Sequence, residues 1–240
     1  MKRLPNMTVI CLTVLLFSCS GGSEKTETPA ADTTAVVATP PPPPEKPVFV
    51  PFKVMVVTHH VKNFTKWEAA YNDHDSIRKA YGLAAYVIGR DLKDSNFLYV
   101  VNKMEDLQKA KTFSTLPNLK VVMKKAGVSD VPHFGYGEVI RNDESPIDYA
   151  DRLMVTHKVK DFAAWLKVFD SEGPATRAGY GMIDRVIARD LIDSNLVTLV
   201  FAVSDMAKAQ ARGKSPELKK IMTDAGVVGP PTIRWFRIVK

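Results

Sequence analysis

A chain of 240 residues, 45% hydrophobic and 25% charged, has room for one large or two small folded domains, and its composition excludes a wholly disordered or fibrous protein. Its formal charge of +7 is mild: it permits attraction to anionic ligands or membrane surfaces, but without a basic stretch interleaved with aromatics it gives no reason to expect nucleic acid. The two cysteines, Cys11 and Cys19, both lie near the N-terminus, so no disulfide or thiolate metal site is expected in the folded part.

Residues 1–19 read as a secretory signal. Lys2 and Arg3 give a positive start, Val9 to Phe17 a short, mostly apolar run, and Ser18 a small residue before the cut. The run is too short to span a bilayer as a stable helix. Removing Lys2 and Arg3 leaves 31 basic against 26 acidic residues, a balance of +5. Leu16-Phe17-Ser18-Cys19 resembles the lipobox of bacterial lipoproteins, although Phe17 is bulky for its position. That resemblance implies cleavage before Cys19 and acylation of its thiol, which anchors a protein to a membrane without spanning it. A plain signal peptide with an incidental cysteine is the other reading; Ser-Gly-Gly-Ser after Cys19, a typical tether start, favours the lipobox. Ser20 replaces the Asp that would suggest inner-membrane retention, so the expected location is the cell envelope, with the outer membrane favoured. Residues 20–50 are rich in Ser, Gly, Thr, Glu, Ala and Pro, with five prolines from Pro40 to Pro44. Such a segment cannot bury a core and reads as a disordered or polyproline tether. At about 3.1 Å per residue it reaches up to roughly 90 Å.

The rest is written twice. Thr58-His59-His60-Val61-Lys62-Asn63-Phe64, followed by Trp67, stands beside Thr156-His157-Lys158-Val159-Lys160-Asp161-Phe162, followed by Trp165, at an offset of 98. Arg90-Asp91-Leu92-Lys93-Asp94-Ser95-Asn96 stands beside Arg189-Asp190-Leu191-Ile192-Asp193-Ser194-Asn195 at an offset of 99. One residue is therefore inserted between the two blocks, near Gly173-Pro174. A period this long reads as a duplicated domain rather than a solenoid. The expected organisation is a first module over 51–141, a linker over 142–150 and a second module over 151–240.

Residues 53–61 predict a strand. Asn63, or Asp161, is placed to cap a helix whose apolar stripe is Phe64, Trp67 and Tyr71, or Phe162, Trp165 and Phe169. Gly82, or Gly181, ends it. Two strands over 83–91 and 97–104 follow, joined by the turn Asp94-Ser95-Asn96. Asp106, or Asp205, caps a short second helix, continued from Pro117, or Pro216, to Ala126-Gly127. A last strand covers about 133–141, and about 231–239 in the second copy. The class is α+β, with two tandem ferredoxin-like βαββαβ modules. Helices cover one face of each sheet, and the bare faces are expected to pair as an intramolecular α/β barrel, a pseudo-dimer within a monomer.

The element order and the segment from the first strand to its tryptophan resemble the dimeric α/β-barrel superfamily, which includes the antibiotic-biosynthesis monooxygenase-like and stress-responsive barrel proteins. The resemblance covers about 53–141 and 152–239. It implies fold more than function. Haem-degrading members carry a haem-ligating histidine on the second helix, and residues 106–126 and 205–225 contain none. Cofactor-free monooxygenases of the superfamily use Asn, Trp and His, and no asparagine stands on the first strand here.

His59 and His157 are the histidines that match between copies. They read as a proton donor, base or orienting group in the barrel lumen, or as hydrogen-bonded structural histidines. Arg90 and Arg189 read as forks for an anionic ligand, or as braces that pair with a nearby carboxylate at the hairpin. Phe64, Trp67, Phe162 and Trp165 could line a pocket, but their helical spacing reads first as core. His59 and His60 are adjacent and point to opposite faces, so no metal site is expected, and no cofactor. No catalytic residue is assigned. The expectation is an envelope lipoprotein that binds a small, anionic ligand through His59, His157, Arg90 and Arg189 in a cavity between the modules. The alternatives are a cofactor-free, monooxygenase-like enzyme acting on an aromatic substrate, or a scaffold with no ligand site.

Overall fold

The computed structural model describes residues 49–240; the expected signal segment, Cys19 and nearly all of the tether lie outside the described residues. The first half runs β1 (Phe52–His60), α1 (Phe64–Asp73), α2 (Asp75–Ala80), β2 (Leu83–Asp91), β3 (Phe97–Met104), α3 (Leu107–Ser114), α4 (Pro117–Ala126) and β4 (His133–Asn142). The second runs β5 (Asp151–Val159), α5 (Phe162–Glu172), α6 (Pro174–Gly179), β6 (Met182–Asp190), β7 (Leu196–Val203), α7 (Met206–Lys214), α8 (Pro216–Asp224) and β8 (Val227–Ile238).

Local chemistry starts the helices where the sequence predicts. The side chains of Asn63, Asp106, Asp161 and Asp205 accept from the backbone N–H three residues on, satisfying a donor the helix leaves free. Two features differ from expectation. The helix after the first strand of each half is broken. In the second half Gly173, at φ 76°, and Pro174 stop α5, since proline removes the N–H and clashes with the preceding turn. In the first half the break is at His74, whose ring Nδ1 lies 2.9 Å from Ala70 O. The last strand also begins earlier than 231, because Val227 and Val228 pair with Val159 and Lys158 across a bulge.

Every strand pairing is antiparallel, and the order β1-β3-β2-β8-β5-β7-β6-β4 closes on itself. The halves meet at two seams, β2 against β8 and β4 against β6. Inside the ring, Phe236 packs on Tyr99 with centroids 5.0 Å apart. Each half keeps its own core beneath its own helices, one around Met55, Trp67 and Leu98, the other around Trp165, Val197 and Phe201. The β2–β3 and β6–β7 hairpins cross the seams. Leu92 N–H donates to Trp235 O and Leu191 N–H to Tyr136 O, each at 2.9 Å.

Gly181 marks a close approach. Its φ is 76°, and a Cβ there would lie 2.5 Å from the backbone oxygen of Asp205. Gly226, at φ 82°, has nothing nearer than 3.6 Å. Gly181→Ala is expected to cost roughly 2–4 kcal/mol, combining left-handed strain with a backbone clash. Gly226→Ala carries the strain alone, about 1–2 kcal/mol. Urea unfolding of both variants checks the order.

Candidate functional site

On β1, Met55, Val57 and His59 alternate onto the face covered by α1; on β5, Leu153, Val155 and His157 face α5. His59 is 2% exposed and His157 5%. Their rings lie 5.6 and 5.4 Å from those of Trp67 and Trp165. None of the four ring nitrogens has a hydrogen-bond partner among the described residues. Burial pushes both rings down to about 4. For His59 the carboxylate of Asp130 opposes that effect and His60 adds to it. Both rings are therefore neutral at pH 7, each with one donor and one acceptor.

This corrects the expected placement. The histidines do not meet in a lumen between the halves; each faces the helices of its own half. Strand parity groups His59 with Val57, but it cannot say which of the two faces the helices cover. Arg90 and Arg189 share these faces, through the registers His59–Leu98–Arg90 and His157–Val197–Arg189. Their guanidinium groups turn elsewhere. Arg90 Nε donates to Ser95 O at 2.7 Å, and Arg189 Nε to Ser194 O at 2.8 Å, bracing the hairpins. The partner is a backbone carbonyl, not a carboxylate. Each also lies over a phenylalanine, Arg90 4.5 Å from the Phe64 centroid and Arg189 4.1 Å from that of Phe162. Stacks follow: Arg90, Phe64, Trp67, Tyr71 and Arg78 in one half, Arg189, Phe162, Trp165, Phe169 and Arg177 in the other. Of the expected core aromatics, Trp67 and Trp165 are core and cavity wall at once, whereas Phe64 and Phe162 carry the arginines.

Each histidine lines a cavity between sheet and helices. The first, about 110 Å³, is walled by His59, Trp67, Tyr71, Asn102 and Phe113 among others. Tyr71 Oη donates to Asn102 Oδ1 at 2.8 Å. The second, about 690 Å³, is walled by His157, Trp165, Phe169, Phe201 and Trp235, with the apolar face of α8 opposite. The two halves differ at matched positions nearby. Phe113 is buried against Tyr81, and Tyr136 Oη donates to Ser114 Oγ at 2.9 Å, closing the first half. The second half has Arg212 and Gly213 there. Arg212 turns to Glu172 and Glu217, at 2.8 Å each, and Gly213 has no side chain to bridge to Trp235. Sequence reasoning missed Tyr71, Asn102, Arg212 and Gly213 as site-forming residues. Their signal was present, as mismatches in an otherwise matched repeat. Among the described residues, no three His, Cys, Asp or Glu side chains gather as a metal site, and no helix is long and apolar enough to cross a membrane.

No family profile and no curated protein sequence matches the chain. Solved structures do. A candidate monooxygenase from Fusobacterium nucleatum aligns at 14% identity and TM-score 0.52, over 80% of this chain and 93% of that one. An anthrone oxidase-like protein aligns at 13% and 0.52, over 79% and 92%. A ferredoxin-fold protein from Listeria monocytogenes, related to antibiotic biosynthesis monooxygenases, aligns at 8% and 0.45, over 80% and 97%. At these identities the likeness is one of fold alone.

Proposed function

We propose that the chain is a membrane-anchored envelope lipoprotein, built from a duplicated ferredoxin-like module, that binds a small, largely apolar ligand in the cavity of its second half. The observation that carries this reading is the 690 Å³ cavity with His157 in its wall, 5% exposed and unpartnered at both ring nitrogens. That volume lies within the range of small-molecule sites, about 300–1,000 Å³, and such sites pair apolar walls with a few placed polar groups. A buried, unpaired polar group is costly, and a ligand atom that bonds His157 offsets that cost. The repeated motifs and the shared element order support the duplication. The lipobox-like segment before Cys19 and the proline-rich tether support the anchor. The ring of strands supports a monomer that serves as its own pseudo-dimer.

A thermal-shift screen of aromatic and aliphatic acids with their neutral analogues tests the binding claim. A ligand at a hundred times its Kd adds about 2.7 kcal/mol, a rise of roughly 5–10 °C for a domain of this size. The rise is expected to vanish in His157→Ala and survive in His59→Ala. The opposite pattern, or no hit, contradicts the reading. For the anchor, Cys19→Ala is expected to move the protein from the membrane to the soluble fraction; a wild-type chain with no acyl mass on Cys19 contradicts it.

One observation favours a second reading, cofactor-free monooxygenase-like chemistry in the first half. There Asn102, Trp67 and His59 line one cavity, with the asparagine on β3 rather than on the first strand. At about 110 Å³ that cavity is too small for a multi-ring substrate, so binding in the second half is preferred. Oxygen uptake with a bound aromatic compound would reverse the preference.

A further inference from the structure

We infer that the second cavity takes an anionic amphiphile, its apolar body against Trp165 and His157 and its negative end at a mouth built by both halves, from Lys93 and Lys214. This rests on the ligand-binding reading of the same cavity and adds the ligand's class.

Lys93 belongs to the first half. The Leu92–Trp235 backbone hydrogen bond lays the β2–β3 hairpin along β8, and so brings Leu92 and Lys93 into the wall of the other half's cavity. Lys214 ends α7 and lines the same cavity. Both lysines are exposed, which puts them at the opening rather than in its depth. A Cβ at Gly213, just before Lys214, would meet nothing within 4 Å, so the chain leaves the entrance clear there.

The charges in this wall do not cancel. Of the charged side chains that line it, Arg177 is paired with Asp184 and Glu172, which leaves Lys93 and Lys214. Glu172 is already held by Arg212 at 2.8 Å and Arg177 at 3.4 Å. The lysine ion pairs among the described residues are those of Lys79, Lys158, Lys208 and Lys220; Lys93 and Lys214 take part in none of them. His157 adds no charge at neutral pH. The site is therefore apolar within and cationic at its lip, which selects a molecule with a carboxylate, sulfonate or phosphate at one end. β8 lies between β5 and the hairpin, so two strand spacings, roughly 10 Å, separate the line of His157 from that of Lys93. A fused ring system or a medium alkyl chain spans that length. The first half has no such lip: the positions matching Lys93 and Lys214 are Ile192 and Thr115. The asymmetry ties the lysines to the large cavity alone.

Two fluorescent probes with one apolar body test this: N-phenyl-1-naphthylamine, which is neutral, and 8-anilino-1-naphthalenesulfonate, which carries a sulfonate. The full chain carrying Cys19→Ala is titrated with each at low salt, so that no acyl group competes. The sulfonate probe is expected to bind about tenfold more tightly, and to lose that advantage as salt is raised. Lys93→Gln with Lys214→Gln is expected to weaken the sulfonate probe about tenfold and leave the neutral probe unchanged. Equal binding of the two probes, or a double variant that changes neither, overturns the inference while the cavity reading stands. An effect from Lys214→Gln with none from Lys93→Gln overturns the shared mouth. If neither probe binds, the cavity reading falls and this inference falls with it.

Discussion

Acidification from pH 7 to pH 4 is expected to destabilise the fold by about 6 kcal/mol, roughly 3 kcal/mol from each of two buried histidines. His59 and His157 titrate near 6.5 when unfolded and are pushed down to about 4 by burial in the fold. The unfolded chain therefore binds more protons than the folded one between those values. Stability rises with pH across that window and is lost as pH falls through it. Asp130, Asp143 and Asp170 are also held below their ordinary range, Asp130 by its hydrogen bonds to His60, Asp143 by those to Ser145 and Asp170 by Arg141. Their losses begin below about 4, so the histidine step stands apart from the carboxylate step. A loss of about 6 kcal/mol is comparable to the whole stability of many domains, so acid unfolding should set in well above pH 3. Urea midpoints at pH 7, 5.5 and 4 measure the effect. The variant with both His59→Leu and His157→Leu is expected to flatten the profile over that range. At pH 7 it should hold its stability, because no hydrogen bond is lost with either ring. A wild-type midpoint that stays constant from pH 7 to 4, or a double variant that keeps the slope, contradicts the placement of these rings.

Rebuilding the second half in the image of the first is expected to abolish binding. Arg212→Phe, Gly213→Ser and Trp235→Tyr together reproduce Phe113, which lines the first cavity of about 110 Å³, and the hydrogen-bonded pair Ser114 and Tyr136. Loss of space on that scale should weaken any ligand of the second cavity by roughly a hundredfold or more, about 2.7 kcal/mol. The fold should survive. Glu172 keeps Arg177 when Arg212 is replaced, and a newly buried phenylalanine contributes about 1.5–3 kcal/mol against the lost ion pairs. A thermal midpoint near wild type with binding lost supports the account. Undiminished affinity would place the ligand elsewhere.

How far the sequence could be read depends on the range of the interaction. The caps at Asn63, Asp106, Asp161 and Asp205 were legible because a side chain and an N–H three residues on are all that a cap requires. The aromatic stripe of α1 and the shared face of His59 and Val57 were legible for the same reason, as periodicities of one element. Arg90 was placed on the correct face, but its partner was not, because a backbone carbonyl five residues on leaves no trace in residue type. What covers a face is a tertiary fact, so strand parity alone cannot tell a lumen from the face that α1 and α5 cover. The cavities were least legible. Phe113 and Arg212 occupy matched positions, and only packing reveals that one fills a space and the other turns to two carboxylates.

The most direct measurement is nuclear magnetic resonance of the histidine ring carbons in protein labelled only at histidine, titrated with N-phenyl-1-naphthylamine. The chain has five histidines, and His59 and His157 are buried in like surroundings beside a tryptophan, so His59 serves as the internal control. The account predicts that the His157 ring resonance moves and saturates with the probe while that of His59 stays in place. A resonance of His59 that moves in its stead, or two that stay fixed while the probe binds, would contradict it.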